Sequence, residues 1–166
     1  MTLSTETSAI EREVRIRAQP ETIFPFFTDS DLFGRWGGVA TLDPRPGGIF
    51  RMDVDGKNIA RGEYVTVEPP HSVIFTWGWE AEDSPVPPGS STVEITLIPD
   101  GEHTIVRLVH RDLPSKESAE SHGTGWQHYL ERLAIAGAGE DPGPDPWAQG
   151  AMADDDEPEQ PSGEAR

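Results

Sequence analysis

The segment Val67-Glu68-Pro69-Pro70-His71-Ser72-Val73-Ile74-Phe75-Thr76-Trp77-Gly78-Trp79-Glu80 constrains the fold more than any other stretch of this chain. A proline-stiffened turn leads into a run that reads as one strand. Strand side chains alternate between faces, so Val73, Phe75, Trp77 and Trp79 share one side while Ile74, Thr76 and Gly78 share the other. A face carrying two indoles and a phenyl has to be covered by apolar material. Where the cover fits closely the row is core; where it fits imperfectly, the gap is a pocket for an apolar ligand.

The neighbouring sequence supplies both partners and cover. From Val39 to Arg111 the pattern has period two, broken by turns at Asp43 to Gly48, Asp55-Gly56-Lys57, Glu68-Pro69-Pro70, Ser84 to Ser90 and Pro99-Asp100-Gly101. This is a meander of about six antiparallel strands. Phe50, Met52 and Val54 share a face on one strand, Val93, Ile95 and Leu97 on another, and Val106, Leu108 and His110 on the last. The opposite faces carry Arg51, Asp53, Glu94, Thr96, Arg107 and Arg111, as a sheet with one wet side requires. Between Ala60 and Val67 the alternation slips, and a bulge near Gly62 reconciles it. An earlier strand begins near Arg12 and includes Val14 and Ile16. Pro20 with Ile23, Phe24, Phe26 and Phe27 predicts a short helix. Thr28-Asp29-Ser30-Asp31 caps a second, through Leu32, Phe33 and Trp36, stopped by Gly37-Gly38. Ser115 to Gly137 reads as a long capped helix, with His122, Trp126, Tyr129, Leu130, Leu133 and Gly137 on the face that covers the sheet. Gly123 and Gly125 cost it roughly 2 kcal/mol of helix propensity relative to alanine, which points to close packing or a local break.

A length of 166 residues suits one domain. Hydrophobic residues make up only 34% of it, with 17 glycines and 16 prolines, which predicts that part of the chain stays unfolded. Residues 140–166 fit that part: they carry a charge of −8 and, apart from Trp147 and Met152, offer little to bury. They are expected to form a disordered acidic tail, and residues 1–10 a flexible N-terminus. The remaining body carries −9 of the total of −17, which disfavours sequence-independent nucleic-acid binding and adhesion to anionic membranes. With no cysteine, disulfides, thiolate metal sites and cysteine nucleophiles are excluded. Met1 to Glu11 has no signal-peptide pattern, and no run approaches the roughly 18 apolar residues of a membrane helix. A cytoplasmic address is expected.

The order of strand, two short helices, a meander and one long helix is the helix-grip arrangement. Its motifs are Pro20 with Phe24 to Phe27, Leu32-Phe33-Gly34-Arg35-Trp36, Pro46-Gly47-Gly48-Ile49-Phe50-Arg51, Gly62-Glu63-Tyr64, Glu68 to Trp77, Leu108-Val109-His110, and Gly125-Trp126-Gln127-His128-Tyr129-Leu130-Glu131-Arg132-Leu133. In this series the chain resembles the START-like superfamily, also called SRPBCC or birch-pollen-allergen-like. The likeness is closest to the branch named after the activator of the ninety-kilodalton heat-shock protein ATPase. The resemblance covers residues 11–139. It implies an α+β helix-grip fold: a curved antiparallel sheet of about seven strands, two short helices, and a long C-terminal helix across the sheet. It also implies a cavity between helix and sheet, which in relatives holds lipids, sterols or polyketides. No common catalytic constellation comes with it, and the co-chaperone role belongs to a larger relative with a further N-terminal domain.

The expected cavity lining is Trp36, Phe50, Met52, Tyr64 and Phe75, with Trp77, Trp79, His110, Trp126 and Tyr129 completing it. Two residues are candidates for acid–base chemistry. His110 lies on the inner face opposite His122, with His128 toward the flank, and an imidazole pair there either binds metal, moves a proton or is simply hydrogen-bonded. Glu63 either pairs with Arg61 or, if a bulge at Gly62 turns it inward, becomes a buried carboxylate with a raised pKa. His71 and His103 fall in turns. No HExxH, GxSxG, Walker or GxGxxG pattern stands in its proper context, so no cofactor or resident metal is expected. The reading that follows is a non-catalytic binding domain for a small hydrophobic or aromatic metabolite. The alternatives are a cyclase, dehydratase or hydrolase using the same cavity, and a co-chaperone-like module with a protein partner or a homodimer, for which the acidic tail is the suggestive feature.

Overall fold

The computed structural model describes residues 8–149. Seven strands form one antiparallel sheet: β1 (Ser8–Ile16), β2 (Val39–Leu42), β3 (Ile49–Asp53), β4 (Ile59–Glu68), β5 (Ser72–Trp77), β6 (Ser91–Asp100) and β7 (His103–Leu113). Their order in space is β1-β7-β6-β5-β4-β3-β2, so consecutive hairpins build the sheet from β2 to β7 and β1 closes the other edge. Between β1 and β2 lie α1 (Pro20–Ile23), a 3-10 turn (Phe24–Phe27) and α2 (Ser30–Phe33). The long helix α3 (Lys116–Gly137) follows β7, and a second 3-10 turn, Pro146–Gln149, ends the described chain. This is the helix-grip α+β fold, with α3 laid over the concave side of a curved sheet.

Local chemistry sets the helix starts. The Asp29 carboxylate accepts from the backbone N–H groups of Asp31 and Leu32 at 2.9 and 3.1 Å, and the Ser115 hydroxyl accepts from Ser118 N–H at 3.0 Å. Pro25 has no N–H to offer, and the chain there tightens from α1 into the 3-10 turn. Two buried polar tips tie these short elements to the body: Trp36 Nε1 donates to Phe26 O at 3.0 Å and Tyr64 Oη to Phe27 O at 2.8 Å. Around them Phe33, Phe50 and Phe75 are fully buried, Phe50 stacking on Phe75 with centroids 3.9 Å apart. Each such ring contributes roughly 1.5–3 kcal/mol by leaving water. Helix α3 packs closely on β1: a Cβ at Gly137 would stand 3.1 Å from Ile16 Cγ2, while one at Gly123 would meet the movable end of the Arg12 side chain.

Four expectations change. The first strand starts at Ser8, ahead of the expected Arg12. The bulge lies at Val65, between the pairs Tyr64↔Phe75 and Thr66↔Ile74, and not near Gly62. Gly62 serves a different purpose: a Cβ there would stand 1.9 Å from Thr76 O, so β4 and β5 approach too closely for any side chain. Arg61 does not pair with Glu63; it and Arg51 reach Glu80, at 3.6 and 3.2 Å. Finally, residues 140–149 belong to the folded body instead of the tail, because Asp145 is buried against α3. Of the flexible N-terminus expected over residues 1–10, residues 8–10 belong to β1, while residues 1–7 and the acidic run, within residues 150–166, lie outside the described residues. Among the described residues, no helix is long and apolar enough to cross a membrane.

Candidate functional site

A cavity of about 560 Å³ opens between α3 and the sheet. From the sheet side come Met52 and Val54, two residues apart on one face, and Trp77 and Trp79, likewise two apart, at and beyond the end of β5. From α3 come His122, Gly125, Trp126 and Tyr129, which recur at helical spacing. Trp147 closes the far side, and Asn58, Ser84, Ser121 and Thr124 supply polar atoms. The strand can turn out between the two indoles because Gly78 lies against the following loop, where a Cβ would stand 1.8 Å from Pro87 O. Both the size and the mostly apolar wall are those of a small-molecule site.

The expected lining divides by depth. Met52, Trp77, Trp79, Trp126 and Tyr129 face the cavity. Trp36, Phe50, Tyr64 and Phe75 do not: they are packed in the filled end of the core. His110 is fully buried behind Trp77 and Trp126, with ring centroids 5.8 and 6.2 Å away, and also stays out of the lining. Glu63 is solvent-exposed, its backbone N–H donating to Thr76 Oγ1 at 2.9 Å, so no inward carboxylate exists at that position.

Hydrogen bonds assign the proton on each imidazole. Trp126 Nε1 donates to His110 Nδ1 at 3.0 Å, which leaves the His110 proton on Nε2, donating to Ser91 Oγ at 2.9 Å. Ser91 in turn donates to Trp77 O at 2.9 Å. Trp79 Nε1 donates to His122 Nε2 at 3.0 Å, so His122 carries its proton on Nδ1 and donates to Ser118 O at 2.8 Å. Burial, and then the neighbouring His122 ring 4.9 Å away, push the His110 pKa down to about 3. Burial lowers that of His122 as well, partly opposed by the bond to Ser118. Both rings are therefore neutral, with no lone pair free for a metal ion or a proton. The paired-imidazole reading gives way to a hydrogen-bonded one. Among the described residues, no three His, Cys, Asp or Glu side chains converge as metal ligands would.

One donor is left over. The Trp77 Nε1–H is buried and, among the described side chains, is the donor without an acceptor. Leaving such a group unpaired costs about 1–3 kcal/mol.

Sequence reasoning missed the closure around Asp145. Its carboxylate accepts from Tyr129 Oη and His128 Nε2, both at 2.9 Å, and from Trp147 N–H at 3.0 Å. The Trp147 indole stacks on His128 with centroids 3.9 Å apart and planes 12° from parallel. Burial, followed by the Asp145 charge, raises the Tyr129 pKa above the usual tyrosine value, keeping the phenol a donor. The one available signal was Trp147 itself, a large apolar residue in an otherwise polar stretch.

Comparison with known proteins agrees with this fold. The chain is similar to the solution structure of an AHSA1-like protein from Rhizobium etli, at 42% identity over 89% of this chain and 92% of that one, with a TM-score of 0.70. It is similar to CalU16 from Micromonospora echinospora at 26% identity, covering 93% of this chain and 76% of that one, with a TM-score of 0.71. It is also similar to PFC0360w, an HSP90 activator from Plasmodium falciparum, at 25% identity over 77% of this chain and 94% of that one, with a TM-score of 0.64. No curated protein matches it. Residues 17–137 match the family described as activator of Hsp90 ATPase homolog 1-like protein, and the chain accordingly belongs to this AHSA1-like family within the SRPBCC superfamily.

Proposed function

We propose that this protein is a cytoplasmic, non-catalytic binding domain that takes a small hydrophobic or aromatic metabolite between α3 and the sheet. The observation that carries the reading is the cavity of about 560 Å³, walled by the indoles of Trp77, Trp79, Trp126 and Trp147. Indole faces favour flat, apolar guests by stacking and dispersion. The cyclase, dehydratase or hydrolase alternative rested on Glu63 and His110. The first is exposed, and the second is sealed in the core with both ring nitrogens bonded.

Gly125 provides the test. A Cβ there meets Trp147 Cζ3 at an ordinary contact distance of 3.9 Å, so a side chain added here enters the cavity beside Trp147 and a phenyl group competes with a guest for that space. Calorimetric titration with a panel of neutral aromatic and aliphatic metabolites should show binding to the wild type, and at least about tenfold weaker binding to Gly125→Phe. Equal binding by both proteins places the ligand elsewhere. Absence of binding across a chemically diverse panel overturns the proposal.

A further inference from the structure

One wall of the cavity is not part of the helix-grip frame. Trp147 comes from the segment after α3, and the family match ends at residue 137, before this segment begins. Residues 143–149 return along α3 as a strap whose side-chain anchors all lie on one stretch of that helix. Arg132 Nη2 donates to Gly143 O at 2.9 Å. Tyr129 and His128 donate to the Asp145 carboxylate, and the face of His128 carries the Trp147 ring. Gly125 leaves room for that ring against the helix, since a Cβ there would be in contact with it.

The attachment is polar and concentrated. Pro144, Pro146 and Ala148 are exposed and Trp147 is only partly buried, so the strap has little apolar burial to hold it. Asp145, by contrast, is buried, and it alone joins Tyr129, His128 and the backbone of the final turn through three hydrogen bonds to an ionised acceptor. A segment held by this carboxylate, one Arg132 bond and one ring stack opens far more easily than the sheet or α3 unfolds. Its inner surface is the Trp147 indole, which faces the same space as Trp77, Trp79 and Trp126.

We infer that the strap of residues 143–149 is the door of the cavity, with the Asp145 carboxylate as its latch and Trp147 as the panel that stacks on the bound ligand. The inference takes the ligand-binding reading as its premise and adds how the ligand enters and which residue selects flat aromatic guests. Release of Asp145 frees the strap while the residues of the His110 network stay in place. Trp147 then swings off His128 and the cavity is open on that side. Closure returns an indole face to the guest, which rewards a planar ring more than a flexible aliphatic chain of similar size.

The test is stopped-flow mixing with N-phenyl-1-naphthylamine, a neutral aromatic dye that fluoresces in apolar surroundings. Asp145→Ala should raise both association and dissociation rates by about fivefold or more, with a smaller change in their ratio. Trp147→Ala, a change at a partly exposed side chain, should weaken dye affinity by about tenfold. Rates equal in the wild type and Asp145→Ala overturn the door and leave the cavity reading intact. If neither protein takes up the dye, amide hydrogen exchange decides the latch without any ligand. Exchange at Ala148, whose N–H donates to the backbone oxygen of residue 145, that rises about tenfold in Asp145→Ala with residues 126–133 unchanged supports it; unchanged exchange at Ala148 overturns it.

Discussion

Lowering the pH from 7 to 5 should destabilise this protein through His110 in particular. In the unfolded chain its imidazole titrates near the ordinary value of 6.5, whereas in the folded protein burial holds the pKa at about 3. Between those values the unfolded chain binds a proton that the folded protein excludes. Stability is therefore fully present above pH 6.5 and declines as the pH falls toward 3. For this one group, linkage gives a loss of about 2 kcal/mol between pH 7 and 5, set against about 5–15 kcal/mol for a typical domain. His122, lowered in the same direction, adds to it. Urea unfolding followed by far-UV circular dichroism at the two pH values measures the loss. The comparison protein is His110→Gln, which keeps a donor for Ser91 but leaves Trp126 Nε1 without its acceptor. It should start roughly 1–3 kcal/mol less stable at pH 7 and lose about 2 kcal/mol less on acidification, because carboxylate contributions common to both proteins cancel. Equal acid losses in the two proteins would show that His110 is not held neutral, and the proton assignment of the network would be wrong.

Glycine substitutions should separate the open cavity from the packed sheet. Gly125→Ala, which adds a methyl group to α3 at ordinary contact distance from Trp147, should raise stability by about 0.5–1 kcal/mol through helix propensity. Gly62→Ala, with its Cβ 1.9 Å from Thr76 O, should lower it by about 3 kcal/mol or more in the same urea assay. Ser91→Ala removes the acceptor of His110 Nε2–H and the donor to Trp77 O, for a loss of about 1–3 kcal/mol. In that variant, indole resonances of Trp77 and Trp126 should shift in an NMR spectrum while that of Trp36 stays in place.

The parts of the fold visible in the sequence are those governed by repetition. Alternation put Phe50 and Met52, then Val73, Phe75 and Trp77, on the inner face, because a one-residue slip would expose all of them. Ser115 marked the start of α3 because helix N-termini need an acceptor for free N–H groups. Depth along the sheet was not visible. Phe75 and Trp77 share a face, yet Phe75 lies under Phe50 and Tyr64 while Trp77 borders open space. What separates them is the presence of Phe27, Phe33 and Trp36 over one end, a three-dimensional fact that parity does not encode. The bulge shows the same limit, since a slip in alternation fits either Gly62 or Val65, and the β4–β5 pairing decides for Val65. The strap was hidden by averaging. In a stretch of prolines, glycines and acids, one carboxylate in reach of Tyr129 and His128 outweighs the composition.

A ligand held between α3 and the sheet would sit among four of the five tryptophans. Proton–nitrogen NMR spectra of the indole groups, recorded while a neutral aromatic compound that binds is added, report on each of them separately. Trp77, Trp79, Trp126 and Trp147 line the cavity, whereas Trp36 is buried elsewhere with its Nε1–H bonded to Phe26 O. With ligand the first four indole resonances should move together while Trp36 stays in place. Saturable binding that shifts Trp36 alone, or leaves all four cavity indoles unmoved, refutes ligand uptake between α3 and the sheet.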